Sequence, residues 1–416
     1  MRRPRAAIVA SGSELVRGDR NDRNGPFLAS SLLRLGIEPV RITVVGDDPA
    51  ELETALREGL SHDLLCVSGG LGPTHDDRTI ELLAKAAGVG LAVDPGLEAE
   101  IERITRAFSE RMRRPYVHDG VEKQATLPVG ASHVGVVGTA PGVVFDTGAC
   151  VAVALPGPPR ELQAMWPRVL ETPALQRVLE RAARAERRVM RFFGLSESAL
   201  AKALADAGGD GDGVTVTICA REFELVAELF VEAGAESRAA ELEAAFEAAG
   251  EKYLFAREEG STPELVVRLL RERGLTLATA ESCTGGMVAA RLTDVPGVSD
   301  VFVGSVVAYA NDVKASSLGV PEATLAEFGA VSAETAEAMA EGARARLGAD
   351  VAVSVTGVAG PDGGTEEKPV GLVYLHASGP MGERAQRLDL PGDRATIRTR
   401  ATVAALHLIR RLVTES

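Results

Sequence analysis

The sequence predicts an α/β protein of several domains, and three observations carry that expectation. At 416 residues the chain has room for two or three cores, given roughly 100–200 residues per domain. Short apolar runs alternate with Gly-rich turns and amphipathic stretches, the pattern of parallel strands covered by helices. The composition is 45% hydrophobic but only 4% aromatic, with 44 glycines, which suits loops that approach a ligand closely better than an aromatic-rich β-sandwich.

Residues 1–169 read as a doubly wound, mostly parallel sheet. The elements expected in order are Ala6–Ala10, a helix over Phe27–Leu35, Val40–Val45, a helix over Pro49–Leu60, and Leu64–Val67 before Gly69 and Gly70. Glycine turns and acidic residues follow the apolar runs, where the carboxyl ends of parallel strands form a ligand crevice. Residues 170–258 change to charged, Ala/Glu/Arg-rich helices around Val214–Cys219 and Leu225–Glu232, which predicts a small α+β domain. Its G-x-x-G, Gly208 to Gly211, holds Asp210, with Asp212 next to it, where a clamp on a phosphate backbone needs basic residues.

Residues 259–416 form a second α/β domain, opened by the helix-start signature Ser261-Thr262-Pro263-Glu264. Strands are expected at Leu275–Ala280, Val301–Tyr309, Val351–Val355 and Leu372–His376, with helices over Met287–Thr293, Ala333–Leu347 and Ala395–Val413.

Charge and cysteine usage narrow the function class. The formal net charge is -14 and Arg111–Arg114 is the longest basic cluster, so the footprint of a nucleic-acid binder is missing. Cys66, Cys150, Cys219 and Cys283 stand singly, without a C-x-x-C pair, which argues against a disulfide framework or zinc knuckle. The apolar run behind Met1-Arg2-Arg3-Pro4-Arg5 is too short for a signal h-region, and no run approaches the roughly 20 residues of a membrane span. A cytoplasmic enzyme, expected as a homodimer, with small-molecule ligands and neither nucleic-acid nor membrane partners, fits these facts.

In the C-terminal domain, Leu275–Ala280 runs into Glu281-Ser282-Cys283-Thr284-Gly285-Gly286 and then a helix, so Ser282 falls at a strand-to-helix turn. The N–H groups of Cys283, Thr284 and Gly285 could stabilise an oxyanion beside its hydroxyl. An N-cap serine among packing glycines is the competing reading. A serine nucleophile needs a base. His376 lies within an apolar strand and His407 within an apolar helix, both read as structural. Lys314 is the better candidate, because a lysine desolvated at a strand end can be neutral, and Tyr309 could hold or relay its proton. Thr356, Gly357 and Gly360, in the Gly-rich stretch after Val355, predict close backbone approach to a ribose phosphate. Arg394 and Arg398, one turn apart, either meet that phosphate or form a solvated face.

These residues carry a resemblance. Ala280 to Gly286, Tyr309-x4-Lys314, Gly329-Ala330-Val331-Ser332, and Thr356-Gly357-x2-Gly360-Pro361-Asp362-Gly363-Gly364 through Lys368-Pro369-Val370-Gly371 resemble the CinA C-terminal domain. The resemblance implies a nicotinamide-nucleotide amidohydrolase, with Ser282 as nucleophile, Lys314 and Tyr309 as its base system, and no cofactor. Tyr-x3-Lys dehydrogenases differ in spacing, and no G-x-G-x-x-G follows the first strand.

In the N-terminal domain, Ser13, Glu14, Asn24, Gly69, Gly70, Gly72, Thr74 and Thr139 fall at strand ends as candidate nucleotide contacts, with Asp47, Asp76 and Asp77 as candidate metal ligands. Plain turns and helix caps are the alternative. The set resembles the molybdopterin-binding-like domain of full-length CinA proteins, and residues 170–258 resemble its KH-like middle domain. That resemblance implies an ADP-ribose pyrophosphatase using a divalent metal such as Mg, Mn or Co. The chain departs from the family pattern at Arg23 in Asp22-Arg23-Asn24 and at Gly135-Val136-Val137 before Gly138-Thr139-Ala140.

The leading expectation is hydrolysis of nicotinamide mononucleotide to nicotinate mononucleotide and ammonia in pyridine-nucleotide salvage. Two others stand beside it: an N-terminal ADP-ribose pyrophosphatase as the main activity, and a non-catalytic ligand-binding protein of the same fold.

Overall fold

The computed structural model describes residues 3–113, 118–182 and 186–415; Met1, Arg2 and Arg114, named above, lie outside the described residues. The chain divides into two compact units. The first is Met1–Arg187 with Gly211–Thr215 and Leu229–Ala240; the second is Arg188–Asp210, Val216–Glu228 and Glu241–Ser416. The expected middle domain is therefore shared between the two units.

The first unit contains strands β1 (Arg5–Ser11), β2 (Glu38–Val45), β3 (Leu64–Ser68), β4 (Leu91–Val93), β5 (Thr126–Pro128), β6 (Ser132–Val136), β7 (Pro141–Asp146) and β8 (Val151–Leu155). Six of these form one sheet in the order β2-β1-β3-β8-β7-β6. Pairing is parallel from β2 to β8 and antiparallel where β7 and β6 close the edge. Alternation along β1 explains the double winding. Ala6 and Ile8 pack with Leu28, Leu32 and Trp166 on one face, while Ala7 and Val9 pack with Leu52, Leu56 and Leu82 on the other. The doubly wound expectation holds. Sequence reasoning did not anticipate the long helix Pro95–Met112, whose Asp94 cap accepts from Gly96 and Leu97 N–H.

Strands β9 (Glu186–Phe193), β10 (Val214–Arg221), β11 (Glu224–Val231) and β12 (Leu254–Ala256) form a second sheet in the order β10-β11-β9-β12. Within the second unit Arg191, on β9, donates to Glu224 at 2.6 Å and to Thr262 at 2.9 Å. His407 meets the same carboxylate at 2.8 Å and stacks on Phe193. All four polar groups of this network are buried, and each has a partner. The structural reading of His407 stands.

The rest of the second unit is a five-stranded sheet of β13 (Leu277–Glu281), β14 (Phe302–Val307), β15 (Val351–Gly357), β16 (Leu372–Gly379) and β17 (Gly382–Asp389), ordered β14-β13-β15-β16-β17. β13 is parallel to both neighbours, and β16 and β17 run antiparallel. Its first helix, Thr262–Glu272, carries a full capping box between Ser261 and Glu264, as the sequence signature predicts. One sheet face packs Leu277, Val353 and Val373 against Ile397, Ala401 and Leu408 of the last helix, Arg394–Thr414. The other packs Ala278, Ala280 and Ala352 against Met339 and Ala343 of the helix Ala333–Leu347. β13 is thus clamped in the middle of the sheet, with its carboxyl end delivering Ser282.

Candidate active site

Ser282 follows β13 directly. Its N–H donates to Val355 O at 2.9 Å, extending the β13–β15 pairing by one residue and fixing the start of the turn. The turn closes when Gly285 N–H donates to Ser282 O at 3.0 Å. Gly285 has φ of +60° and an added Cβ would press on the Arg398 guanidinium, so a side chain there is disfavoured twice. The helix Met287–Thr293 begins immediately after.

Lys314, on the helix Asn311–Leu318, is only 1% exposed. Its Nζ donates to Ala308 O at 2.9 Å and Tyr309 O at 3.2 Å, and lies 3.1 Å from Ser282 Oγ. No carboxylate pairs with it among the described residues. Burial without a counter-charge pushes the lysine below its ordinary range and favours the amine. A neutral amine has two hydrogens and one lone pair. With both hydrogens on the two carbonyls, the lone pair faces the Ser282 hydroxyl and can accept its proton.

Two further groups hold the serine turn. Glu281 is fully buried, and its carboxylate accepts the N–H groups of Gly286 at 2.9 Å, Val288 at 3.1 Å and Ala289 at 2.9 Å. It caps the N-terminus of the Met287–Thr293 helix, where an anion is favoured. Arg398 donates Nε to Cys283 O at 3.1 Å and Nη2 to Thr284 O at 2.8 Å. The Cys283 thiol, beside the nucleophile, is pushed up to about 12 by burial and does not compete with Ser282.

Several expected roles change. The Tyr309 side chain is 57% exposed and its hydroxyl receives Arg394 Nη2 at 2.8 Å; Lys314 meets Tyr309 through the backbone carbonyl, so a phenolic relay is not what connects lysine and serine. Arg398 points at the serine turn, whereas the exposed Arg394 also grips Gly360 O at 2.6 Å. Gly285 N–H is used within the turn, which leaves the N–H groups of Cys283 and Thr284, whose acceptor in the turn is the weakly accepting Cys283 sulfur, as the candidate oxyanion donors. Thr356 is fully buried and donates to Ala330 O at 2.6 Å, and a Cβ on Gly357 would strike the β16 backbone. Both therefore shape the loop from inside the fold. Sequence reasoning missed Glu281, which ends an apolar strand and meets the helix-start N–H groups only once that helix folds back onto it.

The N-terminal unit has its own cleft at the carboxyl ends of its parallel strands, a cavity of about 310 Å³. Glu14, Gly69, Gly70, Gly72, Asp47, Asp76, Asp77 and Thr139 line it, as the sequence places them. Gly69 is required there: at φ of +101° its Cβ would fall 2.2 Å from Ser11 O. Ser13 and Asp47 bond each other reciprocally, at 3.1 and 3.3 Å, and Thr74 sits between the carboxylates of Asp76 and Asp77. Asn24 is a buried strut, donating to Ser68 Oγ and Gly157 O at 2.7 Å each. Two lining residues were not foreseen: Ser11, whose buried hydroxyl has no partner, and Glu161, whose carboxyl burial pushes up.

The lining carries the carboxylates of Glu14, Asp47, Asp76, Asp77 and Glu161 and no basic side chain. Among the described residues, no three His, Cys, Asp or Glu side chains gather at ligating distance. Asp47, Asp76 and Asp77 are tied to local backbone and hydroxyl donors instead, so the donor set does not fit the expected divalent cation as it stands.

Comparison with known proteins assigns a different family model to each part of the chain. A model of the CinA C-terminal domain matches residues 260–413, and one described as a probable molybdopterin binding domain matches residues 7–177. A CinA-like protein from Mycolicibacterium paratuberculosis is 43% identical, covering 99% of this chain and 99% of its own. Another from Mycobacterium marinum is 42% identical with the same coverage of both chains. The crystal structure of competence/damage inducible protein CihA from Agrobacterium tumefaciens is 42% identical over 38% of this chain and 99% of that one, with a TM-score of 0.36. The chain belongs to the family of CinA-like proteins.

Proposed function

We propose that the C-terminal domain is a serine amidohydrolase that converts nicotinamide mononucleotide to nicotinate mononucleotide and ammonia. The observation that carries this reading is the buried Lys314 Nζ, 3.1 Å from Ser282 Oγ and within hydrogen-bond reach of the Ala308 and Tyr309 carbonyls. Ser282 Oγ attacks the carboxamide carbon while Lys314 takes the hydroxyl proton. The oxyanion that forms is met by backbone N–H donors of the serine turn. Collapse breaks the C–N bond, and the proton held on Lys314 leaves with ammonia. Water then attacks the acyl-enzyme with the same lysine as base, returning Ser282 and releasing the acid. The choice of a nicotinamide nucleotide as substrate is supported by the motifs shared with the CinA C-terminal domain. Arg394, exposed beside the Tyr309 hydroxyl, is placed to meet an anionic part of that substrate.

A second reading is hydrolysis of ADP-ribose in the N-terminal cleft, supported by the glycine-walled cavity and the unpartnered Ser11 hydroxyl. Product analysis separates the two. Nicotinamide mononucleotide should yield nicotinate mononucleotide and ammonia in equal amounts, with or without EDTA. ADP-ribose turnover without any release of ammonia from nicotinamide mononucleotide would replace the first reading with the second.

A further inference from the structure

The serine turn contains three consecutive peptide planes, and each is fixed by a different hydrogen bond. The carbonyl of Ser282 accepts Gly285 N–H at 3.0 Å. The carbonyl of Cys283 accepts Arg398 Nε at 3.1 Å, and that of Thr284 accepts Arg398 Nη2 at 2.8 Å. In a trans peptide the N–H points opposite to the C=O of the same plane. Anchoring the Ser282 carbonyl therefore aims the N–H of Cys283, and anchoring the Cys283 carbonyl aims the N–H of Thr284. Neither of these N–H groups donates to an oxygen acceptor among the described residues. The next donors along the chain, at Gly286, Val288 and Ala289, are already taken by Glu281.

We infer that Arg398 is the positioning residue of the oxyanion hole, aiming the Thr284 N–H directly through the Cys283 carbonyl and the Cys283 N–H indirectly, by fixing the plane whose Gly285 N–H anchors the Ser282 carbonyl, and that it is not a ligand for the substrate's phosphate. The inference rests on the amidohydrolase reading for its chemistry. Its guanidinium also polarises the 283–284 peptide, which strengthens the Thr284 N–H as a donor where negative charge develops. A planar fork is needed to reach two adjacent carbonyls at once, and a lysine ammonium offers a point charge instead. The neighbouring Arg394, one turn earlier and exposed, is left as the residue open to an anionic ligand.

The test compares Arg398→Gln and Arg398→Lys with the wild type, after thermal melting confirms that each is folded. With nicotinamide mononucleotide, kcat should fall by roughly 10- to 100-fold in Arg398→Gln, less than the roughly 100- to 1,000-fold of a deleted oxyanion donor because the N–H groups remain but lose their alignment, with KM within about twofold of wild type. Arg398→Lys should recover only part of the loss. A raised KM with unchanged kcat would make Arg398 a phosphate ligand and overturn the inference. A second probe does not need that substrate: acetylation of Ser282 by p-nitrophenyl acetate, followed by intact mass. Slower labelling of Arg398→Gln supports the inference even if nicotinamide mononucleotide proves not to be the substrate. Labelling at the wild-type rate overturns it while leaving the substrate reading untouched.

Discussion

Two Gly-rich turns sit at the carboxyl ends of parallel strands, one in each unit, and they treat their polar groups differently. After β13 nearly every donor and acceptor is committed: Glu281 to the helix start, Arg398 to two carbonyls, Lys314 to two carbonyls and the serine. What remains uncommitted is one hydroxyl facing one amine, two N–H groups and, as at Ser11 in the other cleft, one buried hydroxyl without a partner, that of Thr284. In the N-terminal cleft a buried Ser11 hydroxyl is without a partner, while Asp47 is tied to Ser13 and Asp76 and Asp77 to Thr74. The first arrangement fixes its hydroxyl and amine in one geometry before any ligand arrives. The second holds one buried hydroxyl, that of Ser11, with no partner within the fold, beside a cleft lined by carboxylates.

The largest effect that sharpens this contrast is expected at Lys314. Lys314→Met should lower ammonia release by roughly 10³-fold or more, as expected when a base and its nucleophile act as a unit. The same change should raise the thermal midpoint at neutral pH. Burial holds the folded-state pKa of Lys314 below its unfolded value, so between the two the unfolded chain keeps a proton that the folded chain lacks, and stability rises with pH. The advantage of the methionine variant should therefore shrink as pH climbs toward the ordinary lysine range. For the wild type, kcat should rise with pH along a limb whose midpoint lies below that of a free lysine, about 10.4. A midpoint at the free-lysine position would break the claim that burial prepares the base.

Glu281→Gln comes next. It leaves three helix-start N–H groups, one buried and two part-buried, with a single, uncharged acceptor oxygen, and urea denaturation should show a loss of about 1–3 kcal/mol. An unchanged midpoint would mean that the turn is held by other contacts. Arg394→Gln should raise KM for nicotinamide mononucleotide by roughly tenfold with kcat nearly unchanged, the loss of about one charge-assisted hydrogen bond. The smallest effect is expected in the other cleft. Ser11→Ala removes a buried hydroxyl that has no partner, so stability should stay within about 0.5 kcal/mol or improve. A loss above about 1 kcal/mol would show that the hydroxyl is satisfied within the fold, erasing half of the contrast.

The parts of this layout legible in the sequence are those written in local periodicity. The helix Ala333–Leu347 and the helix Met287–Thr293 fall at the expected bounds, because a capping Ser332 or a glycine pair marks their starts. β13, β15 and β16 were visible as apolar runs. β17 was not, since as an edge strand it alternates charged and small residues without a buried face. β9 begins with Glu186-Arg187-Arg188, and its Arg191 is buried only because Glu224 and Thr262 meet it from far along the chain. In the site, Ser282 and Lys314 were legible from their motifs. The split of labour between Arg394 and Arg398 was not: residues one helical turn apart look equivalent in sequence, and only the fold places one on the serine turn and the other on Tyr309. Glu281 was hidden for the same reason, since a carboxylate ending an apolar strand declares nothing until the following helix folds back onto it.

The most direct measurement is ammonia release from nicotinamide mononucleotide by the purified wild type and by Ser282→Ala under identical conditions. The wild type should release one ammonia for each nicotinate mononucleotide formed, and the variant should release none above the uncatalysed background. Equal release by both proteins would contradict Ser282 as the nucleophile, and no release by the wild type would contradict the amidohydrolase itself.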